Sequence, residues 1–306
     1  MALKVKNAFK IITASGGGTL VADADESFRI RGIYSKPSTN DTYVTVMVQG
    51  TTILKLRTVG KAGNHLPFSF IKTAQIYELI HAGLFEECLK RGFDLSIPVA
   101  SGETLTVSRY AEAGLVVIRY DVYDAEDVKP SEPNGTTSKI RRYLHYFENA
   151  AAITSSPASL ASSLMWSGGD QWPVNALAVP QNNVFRLYGI LAAPSSRGNG
   201  SANKGYSTHL QLIQRNTVLF DEDRNGLPLR GYSSQTADAE SYISEGSVMG
   251  PMTAENPAPG LFFEPALVFP EGETLTTNLV LSGAASGGIG ASGVGVTFLL
   301  EHEYLG

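Results

Sequence analysis

FRIRGI at residues 28–33 returns as FRLYGI at residues 185–190, and GETLT at 102–106 returns unchanged at 272–276. Around the second pair the match extends to IPVASGETLTV (97–107) against LVFPEGETLTT (267–277). A third pair, GLVVIRYDVYD (114–124) and GVGVTFLLEHEY (293–304), closes each copy. The order is kept while the separation grows from 157 to 170 to about 180 residues, as two copies of one domain with loop insertions in the second would give.

Working outward from these anchors, each copy reads as a succession of short strands. SFRIRGIY, TYVTVMVQ, TTILKLRT, FDLSIPV, ETLTVSRY and GLVVIRYDVYD in the first are alternating or β-branched runs separated by Gly, Pro, Asn and Asp. The second offers VFRLYGIL, STHLQLIQ, TVLFD, LFFEPALVF, ETLTTNLVL and VGVTFLLEHEY. Six to eight strands in 100 to 120 residues suit a sandwich with Greek-key or jelly-roll connections. The prediction is an all-β chain of two tandem eight-stranded jelly-roll β-sandwiches with an inserted helix and a helical connector.

The divisions that follow are an N-terminal arm over 1–26, a first jelly roll over 27–128, a helical connector over 129–182 and a second jelly roll over 183–306. The inserted helix is FIKTAQIYELIHAGLFEECLKRG (70–92), with Ile76, Leu79, Ile80, Leu84 and Cys88 at helical spacing and Gly92 as its stop. In the connector, Ile140, Leu144, Phe147 and Ala151 fall on one helical face, and Ser156-Pro157 fits a helix start. Trp166 and Trp172 are expected to anchor packing between the two domains.

With 306 residues and 43% hydrophobic content the chain can bury a large core, and its single cysteine excludes an intramolecular disulfide. A formal charge of -5 gives no overall electrostatic reason to bind nucleic acid, so no sequence-specific nucleic-acid partner is expected. Charge is uneven: residues 1–153 hold 18 Lys+Arg and 16 Asp+Glu, residues 154–306 hold 6 and 13. The two copies thus present different surfaces. The first residues carry Lys4, Lys6 and Lys10 without the apolar core of a signal peptide, so the mature chain is expected to start here. The sequons at Asn40, Asn134 and Asn199 accordingly carry little meaning. The uncharged run from 274 to 300 is long enough for a membrane span, but its GAASGGIGASG centre (283–293) and β-branched flanks read as two strands joined by a glycine-rich hairpin loop.

Catalytic constellations are mostly missing. GIGASG (288–293) has dinucleotide-turn spacing but a strand follows where a helix is needed. No Walker A sequence, Gly-x-Ser-x-Gly elbow or His-x-His pair occurs, and Cys88 is expected to be a buried, inert thiol. EHEY (301–304) reads as a solvent-facing terminal strand. One loop has ligand character: DEDRNG (221–226) sets Asp221, Asp223 and Asn225 at alternate positions before Gly226, the first half of a calcium loop. Its twelfth position is Tyr232 rather than a bidentate Glu, so the residues fit either a weak structural calcium site or an acidic β-turn. No cofactor is required.

The paired FRIRGI/FRLYGI, GETLT/GETLT and terminal strands, with the inserted helix and linking segment, resemble the double jelly-roll major capsid proteins of tailless icosahedral, membrane-containing viruses, in their compact bacteriophage form. The resemblance is architectural, because that family has no diagnostic short motif. It implies a non-enzymatic structural protein, made in the host cytoplasm and located in the virion. Three chains would form a pseudo-hexagonal homotrimer that tiles the shell against neighbouring trimers. Further implied partners are an internal viral membrane, met through the basic arm, and vertex or minor capsid proteins. Two other classes stay open from sequence: a viral spike or carbohydrate-binding β-sandwich module, and a double jelly-roll glycan hydrolase with acids converging at the interdomain cleft.

Overall fold

The computed structural model describes residues 3–14, 16–37, 42–58, 84–109, 114–124, 140–148, 151, 157–159, 161–162, 172, 177–194, 207–220, 226–230, 261–282 and 294–306. The chain is all-β in antiparallel sheets. In order, the strands of the first half are β1 (Leu3–Ile12), β2 (Gly17–Val21), β3 (Glu26–Pro37), β4 (Thr42–Val48), β5 (Thr51–Thr58), β6 (Ile97–Val99), β7 (Thr104–Arg109) and β8 (Gly114–Asp124), with α1 (Leu84–Lys90) between β5 and β6. The second half contributes β9 (Ile140–Glu148), β10 (Ala158–Ser159), β11 (Ala161–Ser162), β12 (Asn183–Pro194), β13 (Ser207–Gln214), β14 (Thr217–Leu219), β15 (Leu227–Arg230), β16 (Leu261–Phe269), β17 (Leu275–Ser282) and β18 (Val294–Tyr304).

Strand order repeats between the halves. The first half pairs its strands as β1-β8-β3-β6 and β2-β7-β4-β5; the second as β9-β18-β12-β16, with β11 outside β9, and β10-β17-β13-β14, with β15 also on β13. Each half has a core of inward side chains. Phe28, Ile30, Val46, Leu105 and Ile118 are buried in one, and Phe147, Phe185, Leu187, Leu212, Leu279 and Phe298 in the other.

The repeated motifs build the same local devices. In FRIRGI the ladder to β8 slips between Ile30 and Gly32, leaving Arg31 as the extra residue of a bulge. In FRLYGI the ladder to β18 slips between Leu187 and Gly189, leaving Tyr188. Each GETLT opens on a glycine in the left-handed region, Gly102 at φ 76° and Gly272 at φ 78°, where a side chain would be strained. The Gly102 N–H donates to the Ala22 carbonyl at 3.0 Å, and the Gly272 N–H to that of Val179 at 3.0 Å. Glu103 and Glu273 return the bond through their carbonyls, from the Ala22 and Val179 N–H groups.

Several expectations need correction. The segment 140–148 is strand β9, not part of a helical connector. Its helical spacing was a coincidence of burial on both faces: Tyr143, His145 and Phe147 alternate with Leu144 and Tyr146, and all five are buried. The described residues after Ser156-Pro157 are short strands as well, β10 on β17 and β11 on β9. The segment 1–26 is not a free arm, because it supplies β1 to one first-half sheet and β2 to the other. The glycine-rich run 283–293 lies outside the described residues, and its flanks β17 and β18 belong to different sheets, so those two strands do not pair as a hairpin. Trp172 sits inside the second core against Phe185 and Phe269 rather than between the halves, while Trp166 lies outside the described residues. Of the inserted helix, α1 is described; Gly92 at φ 78° follows it, and the Phe93 N–H caps the Cys88 carbonyl at 2.8 Å.

Candidate functional site

The two halves of the chain meet across one sheet face. The outer face of β9-β18-β12 is covered by the first half: β5 lies across these three strands, and Leu144 and Leu299 join the first half's core cluster. Around that apolar centre, Phe93 packs on Tyr188 with ring centroids 5.0 Å apart, and the Arg142 guanidinium stands 5.3 Å from the Phe93 ring. Arg91, just past α1, stacks 4.3 Å from the Phe262 ring and meets Glu264 at 3.6 Å.

Beside it sits a buried carboxylate. β18 presents Glu301 opposite Arg142 of β9 on one side and Arg186 of β12 on the other. Glu301 accepts from Arg142 Nε at 2.8 Å, from Arg186 Nη1 at 3.3 Å and from the Tyr188 hydroxyl at 3.4 Å. Arg186 Nη2 donates to Glu303 at 2.6 Å. Burial lowers the Arg186 pKa, but the Glu303 hydrogen bond and the charges of Glu303 and Glu301 outweigh it and hold it above the ordinary arginine value. Burial, then the Glu301 charge, pushes the Tyr188 phenol up. Both Glu301 oxygens are engaged, by cationic or phenolic donors from the two neighbouring strands.

The first half carries the matching pair in weaker form. Arg29 lies opposite Asp121 as Arg186 lies opposite Glu301. Asp121 accepts from Arg31 Nε at 3.0 Å and from the Asn7 N–H at 3.2 Å, and Arg31 also reaches Asp94 at 3.4 Å. For Arg31 the Asp121 and Asp94 interactions exceed the lowering effect of burial and raise its pKa.

EHEY faces solvent only at its end: Tyr304 is exposed, but Glu301 and His302 are both buried, one toward each face. His302 stacks on Phe185 at 4.4 Å, and its Nε2–H donates to the Asn183 amide oxygen. Cys88 is buried, as its helical position predicts. Asp221, Asp223 and Asn225 lie outside the described residues, with β14 and β15 on either side of them and Gly226 at φ 93°. Among the described residues, no group of three or more His, Cys, Asp or Glu side chains is placed to hold a metal, and no helix is long and apolar enough to cross a membrane. Sequence reasoning missed Arg142, Arg186 and Glu301 as a unit because they come from three strands. Their visible signal was the Arg in FRLYGI and the acid in the paired terminal strand. No family model matches the chain, and no curated protein sequence matches it.

Proposed function

We propose that this chain is a double jelly-roll major capsid protein that assembles as a pseudo-hexagonal homotrimer and tiles an icosahedral virion shell. The observation that carries the reading is the repeated strand order. β1-β8-β3-β6 facing β2-β7-β4-β5 is the order an eight-stranded jelly roll requires, and β9-β18-β12-β16 with β10-β17-β13-β14 repeats it. Contact of two such units through one sheet face, with Leu144 and Leu299 in the first half's core cluster, supports reading them as the two wedges of one tile. On this reading the protein is made in the host cytoplasm and resides in the virion, with neighbouring trimers, vertex or minor capsid proteins and an internal membrane as partners.

Solution mass by light scattering after size exclusion tests it. A persistent species of about 98 kDa, three times the 32.7 kDa chain, is expected, with flat pseudo-hexagonal particles by electron microscopy. A strict monomer at every concentration and salt condition overturns the reading.

A further inference from the structure

One strand, β9, is shared between the two cores. Tyr143, His145 and Phe147 turn into the core of the second half, and Leu144 and Tyr146 turn to the opposite face, the one that β5 lies across. All five are buried. On one side β9 is paired along its length with β18; on the other, β11 pairs with it at Phe147 and Glu148. Among the described residues, no strand pairs with that outer edge at His145. The strand that carries the join between the halves is thus held, at this row, by a single ladder.

His145 is a titratable side chain set among aromatic rings. It lies opposite Phe298 of β18, 4.7 Å from the Phe147 ring and 6.5 Å from that of Tyr143, is 2% exposed, and its Nε2 is buried with no hydrogen-bond partner. The facing sheet turns Leu210 and Leu212 of β13 and Leu275, Thr277 and Leu279 of β17 into the same core. The other titratable side chains described in this core are Tyr143, whose hydroxyl donates to the Trp172 carbonyl at 2.5 Å, and His302, which donates to Asn183. Glu273, at the turn before β17, is paired with Arg215 at 2.5 Å, while Arg142, Glu148, Glu301 and Glu303 stand on the opposite side of the β9-β18 sheet. Among the described side chains, none with a negative charge faces the ring, and burial alone lowers its pKa to about 3. An imidazolium here would be a cation without anion or water, so the ring takes up its proton where it meets water. The first half has no such group. Gly189 pairs with Leu299, which pairs with Leu144; Gly32 pairs with Arg119, which pairs with Phe9, so Lys10 holds the place of His145, and it is exposed.

We infer that β9 is an acid-released latch between the two halves: protonation of His145 frees β9 from the second core and, in the same step, opens the face that β5 covers. The coupling comes from the alternation of the strand. The ring at 145 points inward, so it reaches water by movement of the backbone that also carries Leu144 and Tyr146, and these are the side chains beneath β5. β1, with Lys10 already in water, has no counterpart of this step. The latch lies within one chain and is independent of how copies assemble.

Amide hydrogen exchange, followed peptide by peptide on the full chain from about pH 7 to about pH 4 and corrected for the intrinsic pH dependence of exchange, tests the latch. One proton per opening makes the protection of β9 fall about tenfold for each pH unit below about 6.5. β5 is expected to lose protection in step with β9, while β1, β3 and β8 keep theirs. His145→Phe, which keeps a ring in that place, is expected to remove the pH dependence from both β9 and β5, and Lys10→Gln to leave the original pattern; should the phenylalanine not be accommodated, His145→Leu gives the same reading. Protection of β9 that does not change with pH overturns the latch, as does loss from β9 without β5, which leaves the join closed. A parallel loss in every strand is global unfolding and overturns it too. A His145 variant in which β9 and β5 still open together places the proton elsewhere, with the same consequence.

Discussion

β1 and β9 hold the same place in their sheets, yet three of their equivalent rows differ in chemistry. Phe9 stands where Leu144 does, Ile11 where Tyr146 does, and Lys10, on the inward side, where His145 does. The backbone devices around them are shared: the bulge before Gly32 and Gly189, and the Gly-Glu turns at Gly102 and Gly272. The comparison teaches that the repeat kept what sets strand direction and register and changed what each face meets. A sheet face is buried or exposed here according to the element laid across it, and among the described residues β5 lies across β9-β18-β12.

The sharpest way to break the comparison is to truncate its buried member. Leu144→Ala leaves a cavity between β9 and β5 and is expected to cost about 3 kcal/mol in denaturant unfolding. Phe9→Ala, its exposed equivalent, should move the unfolding of the chain by less than about 0.5 kcal/mol. Equal costs at the two positions would show that the faces are not used differently.

A second contrast concerns the bulge glycines. A Cβ at Gly189 would stand 2.8 Å from the Leu261 backbone oxygen, with Leu299 and Phe262 at 3.2 Å, so β12 and β16 must part to admit it. At Gly32 the closest atoms, from 2.7 Å, are the far end of the Tyr34 side chain, which can swing away. Gly189→Ala is therefore expected to cost about 2.5 kcal/mol and Gly32→Ala about 1 kcal/mol, measured as a difference in chemical denaturation midpoints.

How much of this was legible in the sequence follows from the same rows. Twelve strands were readable because they alternate or are rich in β-branched residues between Gly, Pro and Asn breaks. β1 was not: Asn7 at φ 56° interrupts its alternation, the ladder to β8 slips between Leu3 and Val5 and again across Asn7 between Val5 and Ala8, and three lysines gave it the look of a tail. β9 was misread because burial on both faces erases the period of two that identifies a strand. The convergence of Arg142, Arg186 and Glu301 depends on strands far apart in sequence, which no spacing rule encodes. The acid-rich loop was legible as residues, but its place between β14 and β15, both paired to β13, emerges only from the register.

The two carboxylates offer a smaller contrast. The Glu301 side chain is 6% exposed between two arginines, and that of Asp121 is 14% exposed with one close arginine. Glu301→Gln leaves Arg142 and Arg186 without their shared anion and is expected to cost about 2 kcal/mol, discounted because both arginines remain about 30% exposed. Asp121→Asn should cost about 1 kcal/mol, because the Asn7 N–H can still bond the amide oxygen and Arg31 keeps Asp94. A double-mutant cycle of Glu301→Gln with Arg186→Met should return coupling near 1 kcal/mol; additivity would reduce the pair to packing.

The smallest effect per step is set by pH, and it separates the halves by one residue. His145 is buried against Phe147 and Tyr143, and burial lowers its pKa from 6.5 to about 3, so it is neutral in the folded chain at every moderate pH. The unfolded chain binds a proton on this ring below about pH 6.5 while the folded chain does not until about pH 3, so stability from this group is present above 6.5 and is lost as pH falls. The expected slope is about 1.4 kcal/mol per pH unit between roughly pH 6 and pH 4. His145→Phe, which keeps the ring among its aromatic neighbours, should flatten that slope in urea titrations repeated at each pH. Lys10, the equivalent residue of the first half, is exposed, and Lys10→Gln should leave the slope as it was. If His145→Phe retains the full slope, the neutral buried imidazole is not the group through which the second half responds to pH.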